Sequence, residues 1–370
     1  MKFAVVEYSS KTGTVWRHTE ERPNYLADPQ REIDPTSFGC YVSAIKGEHV
    51  PLTGLILGPV AAVPPITQFG RRLYRKLTGR WPLYSLDYLS RFEVLLFVHQ
   101  ISDAPEVVQA LKRIRALYPS IIVLGVPTQP WGILQSHFDE DPAARQHLVD
   151  FMDNCHLFLT IVEETHAWYQ KLTKTKVMYV PQPYPVEYAS HHFQPREKKL
   201  KKILVAGVTQ RDTITKGQLV ARQLQQAFPD YTIVVPKVAD LDYDATALVG
   251  SQYEVLPFEE WQQHLKTLST VMLVINTDYT FTRGRIQVDC AAVGTPSLGS
   301  NSDAQRDLWP ELAAGPQDSI ETLVSLATRV LRDPTYYAAQ VKHARDKLPA
   351  YNYPTSATRL ASLVEVVKNS

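Results

Sequence analysis

The run from Val271 to Gly299, VMLVINTDYTFTRGRIQVDCAAVGTPSLG, limits the possible folds of this chain more than any other stretch. VMLVIN has the look of a buried strand, TDYTFTRGR of a loop, and IQVDCAAVG of an amphipathic helix. Gly294 closes that helix and Pro296 stops it from resuming. Thr295 to Leu298 reads as another short strand. Strand, loop, helix and strand form one βαβ unit, and a βαβ unit implies a parallel sheet. Open α/β sheets bind ligands outside the carboxyl ends of their strands. Thr282, Arg283, Gly284 and Arg285 sit at such an end, beside a helix N-terminus whose amides suit an anion, phosphate above all. Asp289, about one helical turn further on, adds a carboxylate suited to ribose hydroxyls. An ordinary surface loop with scattered charges fits the same residues.

At 370 residues, two domains are expected. The net charge of +1 gives no global field for nucleic acid. Cys40, Cys155 and Cys290 are far apart and form no CxxC pair, which points to reduced thiols and a cytoplasmic setting. No run nears ~18 apolar residues, so no transmembrane helix is expected. His191 and His192 are adjacent but lack a carboxylate or cysteine at ligand spacing, so no metal is expected.

Phe3 to Tyr8 reads as the first strand. The loop after it holds Gly13, which could lie against a phosphate or simply turn the chain. Gly39–Ala44 and Leu55–Val63 read as short strands in a proline-rich, irregular region. Residues 71–84, RRLYRKLTGRWPLY, interleave five cations with apolar residues. They offer a surface for peripheral membrane contact, or else a solvated helix. Strands at Phe92–His99, Ser120–Val126, Cys155–Val162 and Val177–Val180 alternate with helices, giving a first α/β domain. A proline-rich segment with a lysine cluster (Lys198, Lys199, Lys201 and Lys202) reads as a solvated linker. Strand 202–208 opens the second half. Arg211, read in the loop after it, and Lys216, read at the next helix start, could close on a diphosphate from two sides.

These features together resemble the donor half of GT-B-fold glycosyltransferases, especially the large retaining family that uses nucleotide sugars. Arg211 and Lys216-Gly217 have that family's spacing. Asp289-Cys-Ala-Ala-Val-Gly294-Thr-Pro296 matches the second half of its Glu-x7-Glu and Gly-x-Pro run, with Asp in place of Glu. Gly284 falls on the family's glycine, whereas Phe281 stands where the first Glu belongs. The resemblance covers residues 202–315, and the first domain by architecture alone.

The resemblance implies an α/β fold of two Rossmann-like domains with parallel sheets facing each other across a cleft, and a C-terminal helix crossing back to the first domain. Expected bounds are 1–183 for the acceptor-side domain, 184–201 for the linker, 202–350 for the donor domain and 351–370 for the last helix. The implied activity is metal-independent, retaining transfer of a sugar from a UDP- or GDP-sugar to a glycan, lipid-linked glycan or protein, with no cofactor. Arg211 and Lys216 would bind the diphosphate, Asp289 the ribose, backbone near Leu256 and Pro257 the base, and amides near Gly284 the phosphates and sugar. No histidine follows the expected strand of the first domain, and His99 is the substitute candidate beside the reacting sugar. Losing the first Glu removes the usual contact to the donor sugar. A non-catalytic relative that binds nucleotide or glycan therefore stays open, as does a nucleotide-sugar epimerase.

Overall fold

Strands apolar on both faces form the frame of this protein. The computed structural model describes residues 1–8, 16–17, 38–52, 89–101, 104–206, 211–237 and 246–369. The chain divides into two compact units, Met1–Tyr184 with Tyr353–Ser370, and Pro185–Asn352.

The first unit runs β1 (Phe3–Tyr8), β2 (Trp16–Arg17), α1 (Gly39–Ile45), β3 (Glu48–Leu52), β4 (Val94–His99), α2 (Ala104–Leu117), β5 (Ile122–Pro127), α3 (Trp131–Glu140), α4 (Pro142–Asp153), β6 (Leu157–Thr160), α5 (His166–Leu172) and β7 (Val177–Tyr179). Its sheet has the order β2-β3-β1-β4-β5-β6-β7. Among the described residues, only the two-residue β2 is antiparallel to its neighbour. Every residue of β4 and β5 is buried, as expected of parallel strands covered on both faces. Val107, Leu111 and Ile114 give α2 its core face at helical spacing. Asp141 caps α4 by accepting from the Ala143 amide at 2.9 Å, with Pro142 in the first turn.

The second unit runs α6 (Val186–Ser190), β8 (Lys202–Val205), α7 (Arg211–Ala227), β9 (Thr232–Pro236), β10 (Tyr253–Leu256), α8 (Trp261–Thr270), β11 (Leu273–Ile275), α9 (Arg285–Val293), β12 (Ser297–Leu298), α10 (Asp303–Leu308), α11 (Ile320–Arg332) and α12 (Pro334–Lys347). Its five strands, all parallel, take the order β10-β9-β8-β11-β12. A last helix, α13 (Tyr353–Lys368), returns to the first unit and packs on α1.

Two sequence expectations change. Gly39–Ala44 is helix α1, ended by Lys46 in the left-handed region at φ 55°. A short apolar run does not distinguish a buried helix from a strand, and the strand here is β3. Leu55–Val63 lies outside the described residues. Helix α7 begins at Arg211, so Lys216 lies inside the helix rather than at its start. The β-branched residues of DTIT suggest a loop, but packing of Val220 and Leu224 into the core outweighs weak helix propensity.

The segment expected as a solvated linker packs within the second unit. The Gln194 amide donates to Val293 O at 3.1 Å. Arg196 donates to Leu331 O at 2.8 Å. Lys199, read as solvated, is buried, with Nζ donating to Ser269 O and to Thr295 Oγ1, both at 2.7 Å. Burial lowers its pKa to about 7. Between pH 7 and pH 10.5 the unfolded chain therefore holds a proton that the folded chain has shed, and stability rises with pH. Wild type is expected to gain a few kcal/mol relative to Lys199→Met from pH 7 to pH 10. Paired urea titrations measure this, and parallel curves for the two proteins would refute it.

Candidate functional site

Helix α9 starts and ends on left-handed glycines. Gly284 is its N-cap at φ 71° and Gly294 its C-cap at φ 76°. At Gly284 the conformation and the space both demand glycine. A Cβ there would lie 2.5 Å from Ala304 Cβ and 2.8 Å from Ser302 Oγ. The loops after β11 and β12 thus meet at the start of α9. Both are tightly bent. Phe281 (φ 59°) and Ser300 (φ 64°) are non-glycine residues in the left-handed region, and Gly299 has φ 95°.

The surrounding polar groups are buried. Asn276 Oδ1 accepts from the Asp278 amide at 3.0 Å. Asp278 in turn accepts from the Thr280 amide at 2.8 Å and its hydroxyl at 2.6 Å. Burial raises the Asp278 pKa, against the pull of the Thr280 hydrogen bonds. The indole of Trp309 donates to Gln287 O at 3.1 Å and ties the first turn of α9 to the end of α10.

Three side chains here carry buried polar atoms with no hydrogen-bond partner: the Tyr279 hydroxyl, Asn301 Oδ1, and both amide atoms of Gln287. Gln287 has no exposed surface. Its Oε1 lies 3.2 Å from the point a Gly284 Cβ would occupy. Buried polar groups are nearly always satisfied in folded proteins, so these atoms call for a polar partner, whether ordered water or a ligand.

Lys216 reaches the same loop from α7. Its ammonium lies 5.2 Å from the Tyr279 ring centroid and donates to Pro316 O at 3.1 Å and Asp318 O at 2.6 Å. These two bonds use two of the three ammonium protons. Burial lowers the Lys216 pKa, opposed by Asp318. Burial also pushes Tyr279 up to about 12, helped by Asp318.

The expected residues fall into two groups. Thr282, Arg283, Gly284 and Arg285 bracket the start of α9, with Lys216 at the adjoining loop. Leu256 and Pro257 end β10, separated from β11 by β9 and β8, or about 14 Å at the usual strand spacing. Asp289 is 2% exposed and accepts from the Trp261 indole at 2.9 Å, so it ties α8 to α9. Arg211 is the first residue of α7. Gly13 and residues 71–84 lie outside the described residues.

His99, the candidate beside the reacting sugar, ends β4 as a buried side chain. Its ring is fully buried, 5.1 Å from Phe151, and neither nitrogen has a partner. Burial, with a smaller contribution from His147, lowers its pKa to about 4. The ring lies beside Phe151, a member of the core cluster of the first unit. Sequence reasoning missed Gln287, because a glutamine in a helix gives no sign of which face it occupies. Among the described residues, no helix is long and apolar enough to cross a membrane.

No family model matches the sequence, and no curated protein matches it. Solved structures do match. The α,α-trehalose 6-phosphate synthase of Burkholderia multivorans aligns over 100% of this chain and 99% of its own, with TM-score 0.66 and 10% identity. Sucrose-phosphate synthase from Thermosynechococcus elongatus aligns over 100% of both chains, with TM-score 0.62 and 13% identity. The UDP co-structure of S. aureus MnaA aligns over 100% of this chain and 97% of its own, with TM-score 0.52 and 11% identity. At these identities the likeness shows the fold, which is GT-B, as the sequence resemblance implies.

Proposed function

We infer that this protein is a glycosyltransferase that moves a sugar from a nucleoside-diphosphate sugar to an acceptor, and that the second unit holds the donor. One observation carries this reading: the unpartnered amide of Gln287, fully buried beside the left-handed Gly284 at the start of α9. A helix N-terminus offers free amides and a positive dipole end to a diphosphate. Gln287 adds a donor and an acceptor, and Lys216 a cation. The cationic groups would offset charge on the departing nucleoside diphosphate. The S. aureus MnaA structure is a complex with UDP, and two other fold neighbours are synthases of sugar phosphates.

A GDP-sugar fits the same diphosphate chemistry. Retention at the anomeric carbon, independence of metal and a glycan, lipid-linked glycan or protein acceptor belong to this proposal through the sequence resemblance. Phe281 in place of the first Glu, with Asp289 closed off by Trp261, favours one rival, a relative that binds nucleotide without turning it over.

Calorimetric titration with UDP and with GDP is the test, followed by UDP release from UDP-glucose and GDP release from GDP-mannose. Micromolar binding of one nucleotide is expected, weakened about tenfold or more in Lys216→Ala. Failure to bind either nucleotide would sink the donor reading. Binding without release across a broad acceptor panel would favour the rival.

A further inference from the structure

Three polar side chains from separate strand regions meet on the sheet of the first unit. Glu7 is the penultimate residue of β1, His49 lies in β3, and Gln100 directly follows β4. The His49 ring donates from Nε2 to Glu7 Oε2 at 3.1 Å, and the Gln100 amide donates to Glu7 Oε1 at 2.9 Å. Ala4, Val6, Val50, Leu95 and Phe97 belong to one core cluster. By strand alternation, Glu7 and His49 point to the opposite face. The Glu7 side chain is 23% exposed and that of His49 is 9% exposed.

Two donors, one on each carboxylate oxygen, fix the orientation of Glu7. Among the described residues, no lysine or arginine pairs with Glu7, and its partners are His49 and Gln100. A staple between strands would need no charge, and partial burial of a carboxylate is costly. The arrangement suits a ligand that must be gripped. Each Glu7 oxygen keeps a lone pair to spare, while Gln100 retains one N–H and a carbonyl oxygen. An acceptor and a donor side by side match a hydroxyl, which donates and accepts at once. Adjacent hydroxyls of a saccharide would use both. The location also fits, because Glu7 and Gln100 stand at the carboxyl ends of parallel strands.

We propose that Glu7, oriented by His49 and Gln100, binds vicinal hydroxyls of a saccharide in the first unit. Given the function inferred above, that saccharide is the acceptor. Glu7 and Gln100 touch the sugar, and His49 is a positioning residue acting through Glu7.

The test is saturation-transfer NMR on the full chain with glucose, mannose, sucrose and maltose, run beside a UDP titration. At least one saccharide is expected to bind wild type and to bind Glu7→Gln and Glu7→Ala at least tenfold more weakly. His49→Gln, whose amide can still donate to Glu7, should stay within about threefold of wild type, whereas His49→Leu should fall with the Glu7 variants. UDP affinity should stay within twofold in all four, which also reports that they fold. Absence of saccharide binding in wild type, undiminished binding in Glu7→Ala, or equal losses in His49→Gln and His49→Leu would overturn the proposal. Loss of UDP binding by wild type would strike the donor site and leave Glu7 to be judged by the saccharide signals alone.

Discussion

Gln287→Leu is expected to make the protein more stable and much poorer at holding a nucleotide. The side chain is fully buried, and neither amide atom has a partner. An unsatisfied buried polar group costs about 1–3 kcal/mol, and leucine fills a similar volume without that cost. The variant should therefore gain roughly 2 kcal/mol in urea unfolding and melt several degrees higher. The two hydrogen bonds it can no longer make to a ligand correspond to a loss of about 10–100-fold in UDP or GDP affinity. Stability and affinity moving in opposite directions is the signature of a residue kept for a ligand. A lower melting temperature would mean that Gln287 supports the fold, and unchanged nucleotide affinity would move the donor site away from the start of α9.

A second large effect is expected at the Trp261–Asp289 contact. Trp261→Phe keeps an aromatic ring, though a smaller one, and removes the N–H that reaches Asp289 at 2.9 Å. The Asp289 carboxylate is 2% exposed and would lose a hydrogen bond that water cannot readily replace. The expected cost is about 2–3 kcal/mol. Asp289→Asn keeps an oxygen to accept from the indole and should cost under about 1 kcal/mol. Both are measured by urea unfolding, with nucleotide titrations alongside. If Asp289 also reads a ribose hydroxyl, Asp289→Asn should lose most of the preference for UDP over 2′-deoxy-UDP. Equal discrimination in wild type and variant would leave Asp289 as a brace between two helices and nothing more.

The parallel sheets could be read from the sequence because runs such as FEVLLFVH and VMLVIN are apolar without alternation, as doubly covered strands must be. Helix α9 was also readable, since Gly284 and Gly294 mark its ends with a conformation that favours glycine. Other features depended on packing that no local pattern records. GCYVSAI is short and apolar enough for either element, and it forms α1. Lys199 sits in a lysine cluster that reads as solvated, yet it is buried and bonded to Ser269 and Thr295. His99 ends a strand, as a catalytic histidine could, but it faces the core.

The candidate site follows the same division. The loop proposed to bind an anion was visible as a glycine between two arginines before a helix. Gln287 was hidden because burial of one helix face emerges only when α9 meets α10. The Glu7 cluster was hidden by distance, since His49 and Gln100 lie 42 and 93 residues from Glu7.

The return of α13 to the first unit fixes an order of events during synthesis. Residues 185–352 emerge from the ribosome as one continuous block and can close their own core. The first unit is completed later, because α1 meets α13 only when residues 353–368 have been translated. The half that begins first is therefore completed last, and the face of α1 that α13 covers is exposed for the longer time.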